Sequence, residues 1–327
     1  MTKGSETMKK AILLVSMLGI GGLAGGSALA DGETVAVFTK NQTNPFFESI
    51  RVGATKAATS VGVKVIQYVP IKPDSIPEQL SQVEDAIVKK PSALLFTPVD
   101  YKALVPAIEK VNAAGIPVTG LTDRLAGGKV VSFIGAEDYR LGLETAQSLL
   151  KAMGGKGNVV ALEGVKGAIS NTDRMKGFTD ALKEFPNVKL VATQPANYQR
   201  LQALQVMENI MQTHSQIDGV FAANDAMATG VVEAMAAANR KALVVGINGS
   251  KEAIDLIKAG KMHASGSSDP FMQGCLGMLT TVRALRKMPV KQELMVVPVI
   301  IDSANYKQYD VPVESRSCPK LEEVATN

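Results

Sequence analysis

Val35-Ala36-Val37-Phe38, followed a few residues later by Thr43-Asn44-Pro45-Phe46-Phe47, is the stretch that decides the fold. Four consecutive apolar residues describe a strand covered on both faces, the condition of a parallel sheet. Pro45 suits a first helical turn, where its missing N–H costs nothing, and Phe47–Ser60 continues with a helical pattern. The alternation recurs. Further apolar runs lie at Val63–Tyr68, Ala93–Phe96, Pro117–Leu121, Val130–Ile134, Val159–Leu162, Val188–Thr193, Gly219–Ala223, Ala242–Ile247 and Leu294–Ile301. Helical patterns between them include Ile76–Lys89, Tyr101–Ala114, Tyr139–Met153, Thr172–Phe185, Arg200–Thr213 and Phe271–Arg286. So many strands are too many for one open sheet of ordinary width. The chain is therefore expected to be α/β with two parallel-sheet lobes, the candidate boundary being the polar link Gly135-Ala136-Glu137-Asp138.

Upstream of the first strand, Met8-Lys9-Lys10 is a basic start, Ala11 to Leu23 is apolar, and Ala28-Leu29-Ala30 is an A-x-A cleavage site. This is the pattern of a secretory signal peptide over residues 1–30, with Met1 to Thr7 as an upstream extension. The apolar run is short and broken by glycines, which disfavours a membrane span. No Cys lies near the cleavage site to carry a lipid. The mature chain is expected to begin at Asp31 and to be soluble in a periplasm. The glycines of residues 19–26 precede a strand instead of following one, so they are not a nucleotide fingerprint. Gly154-Gly155-Lys156-Gly157 is a turn into a strand and not a phosphate loop.

Composition narrows the function. A hydrophobic fraction of 46% over 327 residues supports sizeable cores, and a net charge of +4 is too small and too dispersed for nucleic acid. The absence of Trp argues against a stacking groove for single strands. The two histidines, His214 and His263, have no neighbouring Ser or Cys in a nucleophile motif and no metal-ligand spacing. No enzyme, metal site or cofactor is expected. Cys275 and Cys318 are the two cysteines, an even number in an oxidising compartment. A disulfide between them would be worth ~4 kcal/mol by chain entropy; two free thiols, with Cys275 buried on its helix, are the alternative.

In open α/β sheets ligands bind beyond the carboxyl ends of the strands. The residues at those exits are Asn44, Thr97, Asp123-Arg124, Asn224-Asp225, Asn248 and Ser267-Ser268-Asp269. All are polar. Each could instead cap the following helix, and capping is the role expected of Asp225. Asn44 beside Phe46 and Phe47 offers hydrogen bonds next to flat apolar faces, which suits a sugar ring with hydroxyl edges and C–H faces. An ordinary helix start with both phenylalanines in the core reads the same residues without a ligand.

Six segments together carry a resemblance: Thr-Asn-Pro-Phe-Phe at 43–47, Thr-Asp-Arg at 122–124, Asp-Arg-Met-Lys-Gly-Phe at 173–178, Gln-Pro-Ala-Asn-Tyr at 194–198, Phe-Ala-Ala-Asn-Asp at 221–225 and Val-Val-Gly-Ile-Asn-Gly at 244–249. In this order the chain resembles the ribose-type binding proteins of the type I periplasmic solute-binding superfamily, from Val35 to about Ile301. The resemblance implies two Rossmann-like lobes joined by a three-segment hinge, with a ligand cleft between them. The crossings would fall near Gly135–Glu137, Ser267–Asp269 and Ile301–Ser303. One lobe would comprise residues 31–135 and 269–301, the other 136–268 and part of the tail 302–327.

The same resemblance implies the contacts. Asn44 would bind a hydroxyl, Phe46 and Phe47 flank the ring, and Asp123 and Arg124 grip from the first lobe. Arg174, Tyr198 and a bidentate Asn224 would serve from the second. Thr97, Asn248 and Ser268 stand where the ribose pattern has Asn, Asp and Gln, and Tyr198 stands for Phe. These departures put ribose itself in doubt and favour another small sugar or a polyol, with a gap expected beside Ser268. The implied role is the binding component of an ABC importer, monomeric and partnered by a membrane permease. A sensor presenting its closed form to a chemoreceptor or kinase, or a binding protein for a non-sugar solute such as a nucleobase or amide, is the alternative. Repressors sharing this core carry an N-terminal helix-turn-helix where this chain has its leader.

Overall fold

The computed structural model describes residues 32–324; the leader and its cleavage site lie outside the described residues. The first sheet has the order β11-β5-β4-β3-β1-β2, with β1 Thr34–Phe38, β2 Lys64–Tyr68, β3 Ala93–Phe96, β4 Val118–Leu121, β5 Ser132–Ala136 and β11 Glu293–Val296. The second has the order β12-β10-β9-β8-β6-β7, with β6 Lys156–Glu163, β7 Asn187–Pro195, β8 Gly219–Ala222, β9 Leu243–Ile247, β10 Ala264–Ser267 and β12 Val299–Asp302. All pairings are parallel except β12 with β10, which is antiparallel. In register, Val35–Phe38 of β1 lie beside Ala93–Phe96 of β3, all fully buried. The unbroken apolar runs are thus explained by helices on both faces.

Within each sheet the first strand of the lobe is flanked by the second on one side and the third on the other. That is a topological switch point, and it opens a crevice at the strand ends. The chain passes between lobes after β5, after β10 and between β11 and β12. The third passage therefore lies at Val297-Pro298, not at Ile301–Ser303. The expected single strand Leu294–Ile301 is two strands in different sheets, separated by Pro298, which can donate no ladder bond.

The tail divides between the lobes. Tyr306 and Tyr309 pack on the second lobe's core, and Asp310 pairs with Lys251 and Lys258 of α8 (Lys251–Lys258). Beyond that point Val313, Cys318, Leu321 and Val324 pack into the first lobe. The Cys275–Cys318 disulfide fixes this end to α9 (Pro270–Leu285), and Arg316 reaches Asp269 at the second crossing. The tail is thus a fourth strap between the lobes.

Candidate ligand-binding site

Seventeen residues from both lobes line a cavity at the strand exits, with about 510 Å³ of space between atoms counted out to its mouth. The loop after β1 contributes Lys40, Asn41 and Asn44. Asn44 caps α1 (Pro45–Ser60), its Oδ1 accepting from the Phe46 amide at 3.0 Å, so that its NH₂ is the end left for a ligand. Phe46 and Phe47 meet edge to face, centroids 5.2 Å apart, and both line the cavity while packing into the core behind it. The ligand reading and the core reading of these rings hold together.

Two buried ion pairs are built into the walls. Lys40 Nζ lies 2.6 Å from Asp123 Oδ2 on the first lobe. On the second, Arg174 Nε donates to Asp138 Oδ1 at 2.7 Å and Nη1 to the Ala223 carbonyl at 2.8 Å. The sequence makes this second pair possible by placing glycines where α4 (Asp138–Ala152) and α5 (Ile169–Lys183) touch. A Cβ on Gly142 would collide with the Arg174 backbone, and one on Gly177 with the Tyr139 carbonyl. The lobes meet through Asp123, whose Oδ1 accepts from the Ser170 amide in the first turn of α5 at 3.3 Å. A helix start without a side-chain cap favours a carboxylate there.

Burial disfavours the Lys40 ammonium, but the charges of Asp123 and Asp74 outweigh it and raise its pKa. Burial likewise works against the Asp123 carboxylate, yet Lys40 and the Ser170 donors hold it below the usual range. Asp138 is pushed upward, because burial and the nearby Asp123 exceed what Arg174 returns. Asp74, which accepts from Asn41 Nδ2 at 3.3 Å, is raised chiefly by burial. Three cavity residues, Thr122 (φ 62°), Tyr198 (φ 60°) and Asn248 (φ 148°), have backbones in the left-handed region. A β-branched residue such as Thr122 is costly there, and such strain concentrates at ligand sites.

Residues 35–288 match the model of the periplasmic binding protein domain. The chain belongs to the type I periplasmic binding proteins. A ribose import binding protein of Haemophilus influenzae is 32% identical over 88% of this chain and 98% of its own length. The crystal structure of an ABC transporter periplasmic solute-binding protein from Actinobacillus succinogenes with bound D-allose is 35% identical, with TM-score 0.81 over 84% of this chain and 99% of that one. A Caulobacter myo-inositol binding protein bound to myo-inositol superposes with TM-score 0.79 at 29% identity, over 88% and 98% of the two chains.

In this binding protein the cavity brings together Asn44, Phe46, Phe47, Asp123, Arg174, Tyr198, Asn224, Asn248 and Ser268. Arg124 is elsewhere. It turns outward, half exposed, to pair with Glu293 at 2.6 Å and lie over the Phe133 ring, so the adjacent Asp123 and Arg124 do not grip together. Thr97 is fully buried but does not line the cavity; its carbonyl accepts from Gln79 at 2.9 Å. Asn224 lines the cavity with both amide ends committed, Oδ1 capping α7 (Asp225–Ala237) through Met227 and Nδ2 donating to the Tyr198 carbonyl. It is a wall that holds Tyr198 more than a free bidentate arm. Asn224, not Asp225, is the cap. Asp225 instead accepts from the Ser265 hydroxyl and the Ser250 amide.

Sequence reasoning missed Lys40, Asn41, Asp74, Asp138, Ser170 and Gln273. Lys40 was visible as a charged residue directly following the apolar strand and Thr39. Asp138 was read only as part of a linker, although it follows β5 as Asp123 follows β4. Ser170 and Gln273 lie inside helices and carry no exit signal.

Proposed function

We propose that this protein captures a small neutral sugar or polyol in the cavity and delivers it, in the periplasm, to the permease of an ABC importer. The reading rests above all on the two ion pairs facing one cavity. A carboxylate only accepts hydrogen bonds, and an ammonium or guanidinium only donates. A hydroxyl does both, so neighbouring hydroxyls of one ligand can satisfy the remaining capacity of each pair with strong charge-assisted bonds. Three carboxylates (Asp74, Asp123, Asp138) against two cations (Lys40, Arg174) disfavour an acidic or phosphorylated ligand. Phe46, Phe47 and Tyr198 supply the apolar faces. The names of the relatives, which concern ribose, allose and myo-inositol, support the same class.

The protein acts as a monomer without cofactor and without catalysis, the cavity residues Asn44, Phe46, Phe47, Asp123, Arg174, Tyr198, Asn248 and Ser268 forming its site. Among the described residues no helix is long and apolar enough to cross a membrane, in keeping with a carrier that moves between solute and permease. A chemoreceptor or sensor kinase as the receiver of the closed form is the second reading, carried by the same interlobe contact of Asp123 with Ser170.

Thermal-shift screening of the purified chain against aldoses, alditols and inositols tests the class. A ligand at 100 times its Kd adds roughly 2.7 kcal/mol of stability, a clear rise in Tm. Stabilisation by sugar acids or amino acids, with none by neutral polyols, overturns the reading. Ribose is expected to bind more weakly than another member of the panel, and Asn248→Asp with Ser268→Gln to restore part of its affinity.

A further inference from the structure

Gln273 occupies the first turns of α9 and is 1% exposed, an unusual setting for an amide. Its Nε2 donates to the Ser268 carbonyl at 2.7 Å. That bond fixes which end of the amide is nitrogen, and it leaves Oε1 buried with no hydrogen-bond partner. Several other buried side-chain atoms among the described residues also lack partners, Thr97 Oγ1 and Thr280 Oγ1 among them. Gln273 is the one whose residue lines the cavity. A buried acceptor without a donor opposes folding, and an apolar side chain of the same length would avoid that cost. Ser268, whose carbonyl holds Gln273, and Asn248 line the same cavity and are positions that depart from the ribose pattern. The gap expected beside Ser268 is therefore bordered by an amide delivered from the next helical turn.

We propose that Gln273 is a specificity-determining residue, its Oε1 accepting a hydrogen bond from one particular hydroxyl of the bound sugar or polyol. The proposal rests on the reading of the cavity as a neutral polyol site. Specificity of this kind is sharp, because a ligand lacking that hydroxyl leaves the acceptor unmet in a closed site. Ser268 and Gln273 act as one unit: the short serine makes room, and its carbonyl holds the amide in place.

The test is a cycle of protein and ligand variants read by calorimetry. Wild type and Gln273→Met are titrated with D-allose, D-ribose, xylitol and myo-inositol, then with monodeoxy analogues of whichever binds best. Wild type should lose at least tenfold in affinity for one deoxy position, and Gln273→Met should bind the parent at least tenfold more weakly while no longer distinguishing that deoxy analogue from it. The variant's Tm without ligand should stay near that of wild type, since the unpaired Oε1 is removed while the Ser268 carbonyl loses its donor. Equal loss at every deoxy position in both proteins, or unchanged affinity in Gln273→Met, overturns the role of Gln273 and leaves the polyol site standing. Wild type that binds none of the four probes overturns both.

Discussion

Lys40–Asp123 on one wall and Arg174–Asp138 on the other are both buried, yet Asp123 is held below the usual carboxylate range and Asp138 is pushed above it. Burial is the largest influence on both and acts in the same direction. The difference lies in how fully each is compensated. Asp123 has a lysine at 2.6 Å and the Ser170 donors at the start of α5. Asp138 has an arginine that also serves the Ala223 carbonyl, and it feels the negative charges of Asp123 and Asp173. One carboxylate is the more fully compensated by the protein and links the lobes. The other is only partly satisfied and has capacity left for a ligand.

The largest expected effect comes from breaking either pair. Arg174→Met leaves Asp138 buried without its cation, and Asp123→Ala strands Lys40 and removes the contact between lobes. Loss of one partner of a buried charged pair costs about 2–5 kcal/mol of binding, roughly one and a half to three and a half orders of magnitude in Kd. Calorimetry with the best ligand of the screen, alongside circular dichroism to show a folded chain, measures it. Near-wild-type affinity in Arg174→Met would remove the second wall from the site.

Asp225 extends the comparison to a buried carboxylate with no adjacent cation: burial raises it from 3.8 to about 6. Between those values the folded state binds a proton that the unfolded state has released. Stability from this group is therefore greatest in acid and falls as pH rises through that window, by ~3 kcal/mol at most. Asp225→Asn can keep the Ser250 amide on its oxygen and donate to Ser265 Oγ from its NH₂. It should be more stable than wild type at pH 7 by up to ~3 kcal/mol, with the advantage gone by pH 4. Urea midpoints of the two proteins at both values decide this.

The smallest effect concerns pH and affinity. Since Asp138 and Asp74 are raised and Asp123 lowered, acidification protonates Asp138 and Asp74 before Asp123. Ligand affinity should weaken as pH drops toward the upper edge of the carboxylate range, by roughly tenfold for a single weakened charge-assisted bond. Asp138→Asn should bind more weakly at neutral pH and show a shallower decline, the remainder belonging to Asp74. An equal acid limb in that variant would place the titrating group elsewhere.

Much of this was legible in the residues. Val35–Phe38, Val159–Leu162 and the runs like them are apolar without alternation, and only a strand covered on both faces tolerates that. Asp123, Asn224 and Asn248 were legible as candidates for the same reason: a polar residue just after such a strand must lie at the sheet's carboxyl edge, whereas Asn44 and Ser268 rested more on the resemblance. Arg124 was misjudged because side chains adjacent in the chain can face different surroundings, and here Arg124 faces Glu293 from β11, 169 residues away. Gln273 gave no signal at all. A glutamine near a helix start reads as solvated until the packing around it is known.

Local chain chemistry thus determined the alternation of strands and helices, the two sheets and the polar rim at their ends, because each depends on residues close in sequence. Which rim residues share a cavity depended on contacts between distant segments. So did the pairing of Lys40 with Asp123, the orphaned oxygen of Gln273, the passage at Val297-Pro298 and the tail's return to the first lobe. Packing geometry and burial set these, and neither is a property of any short stretch of the chain.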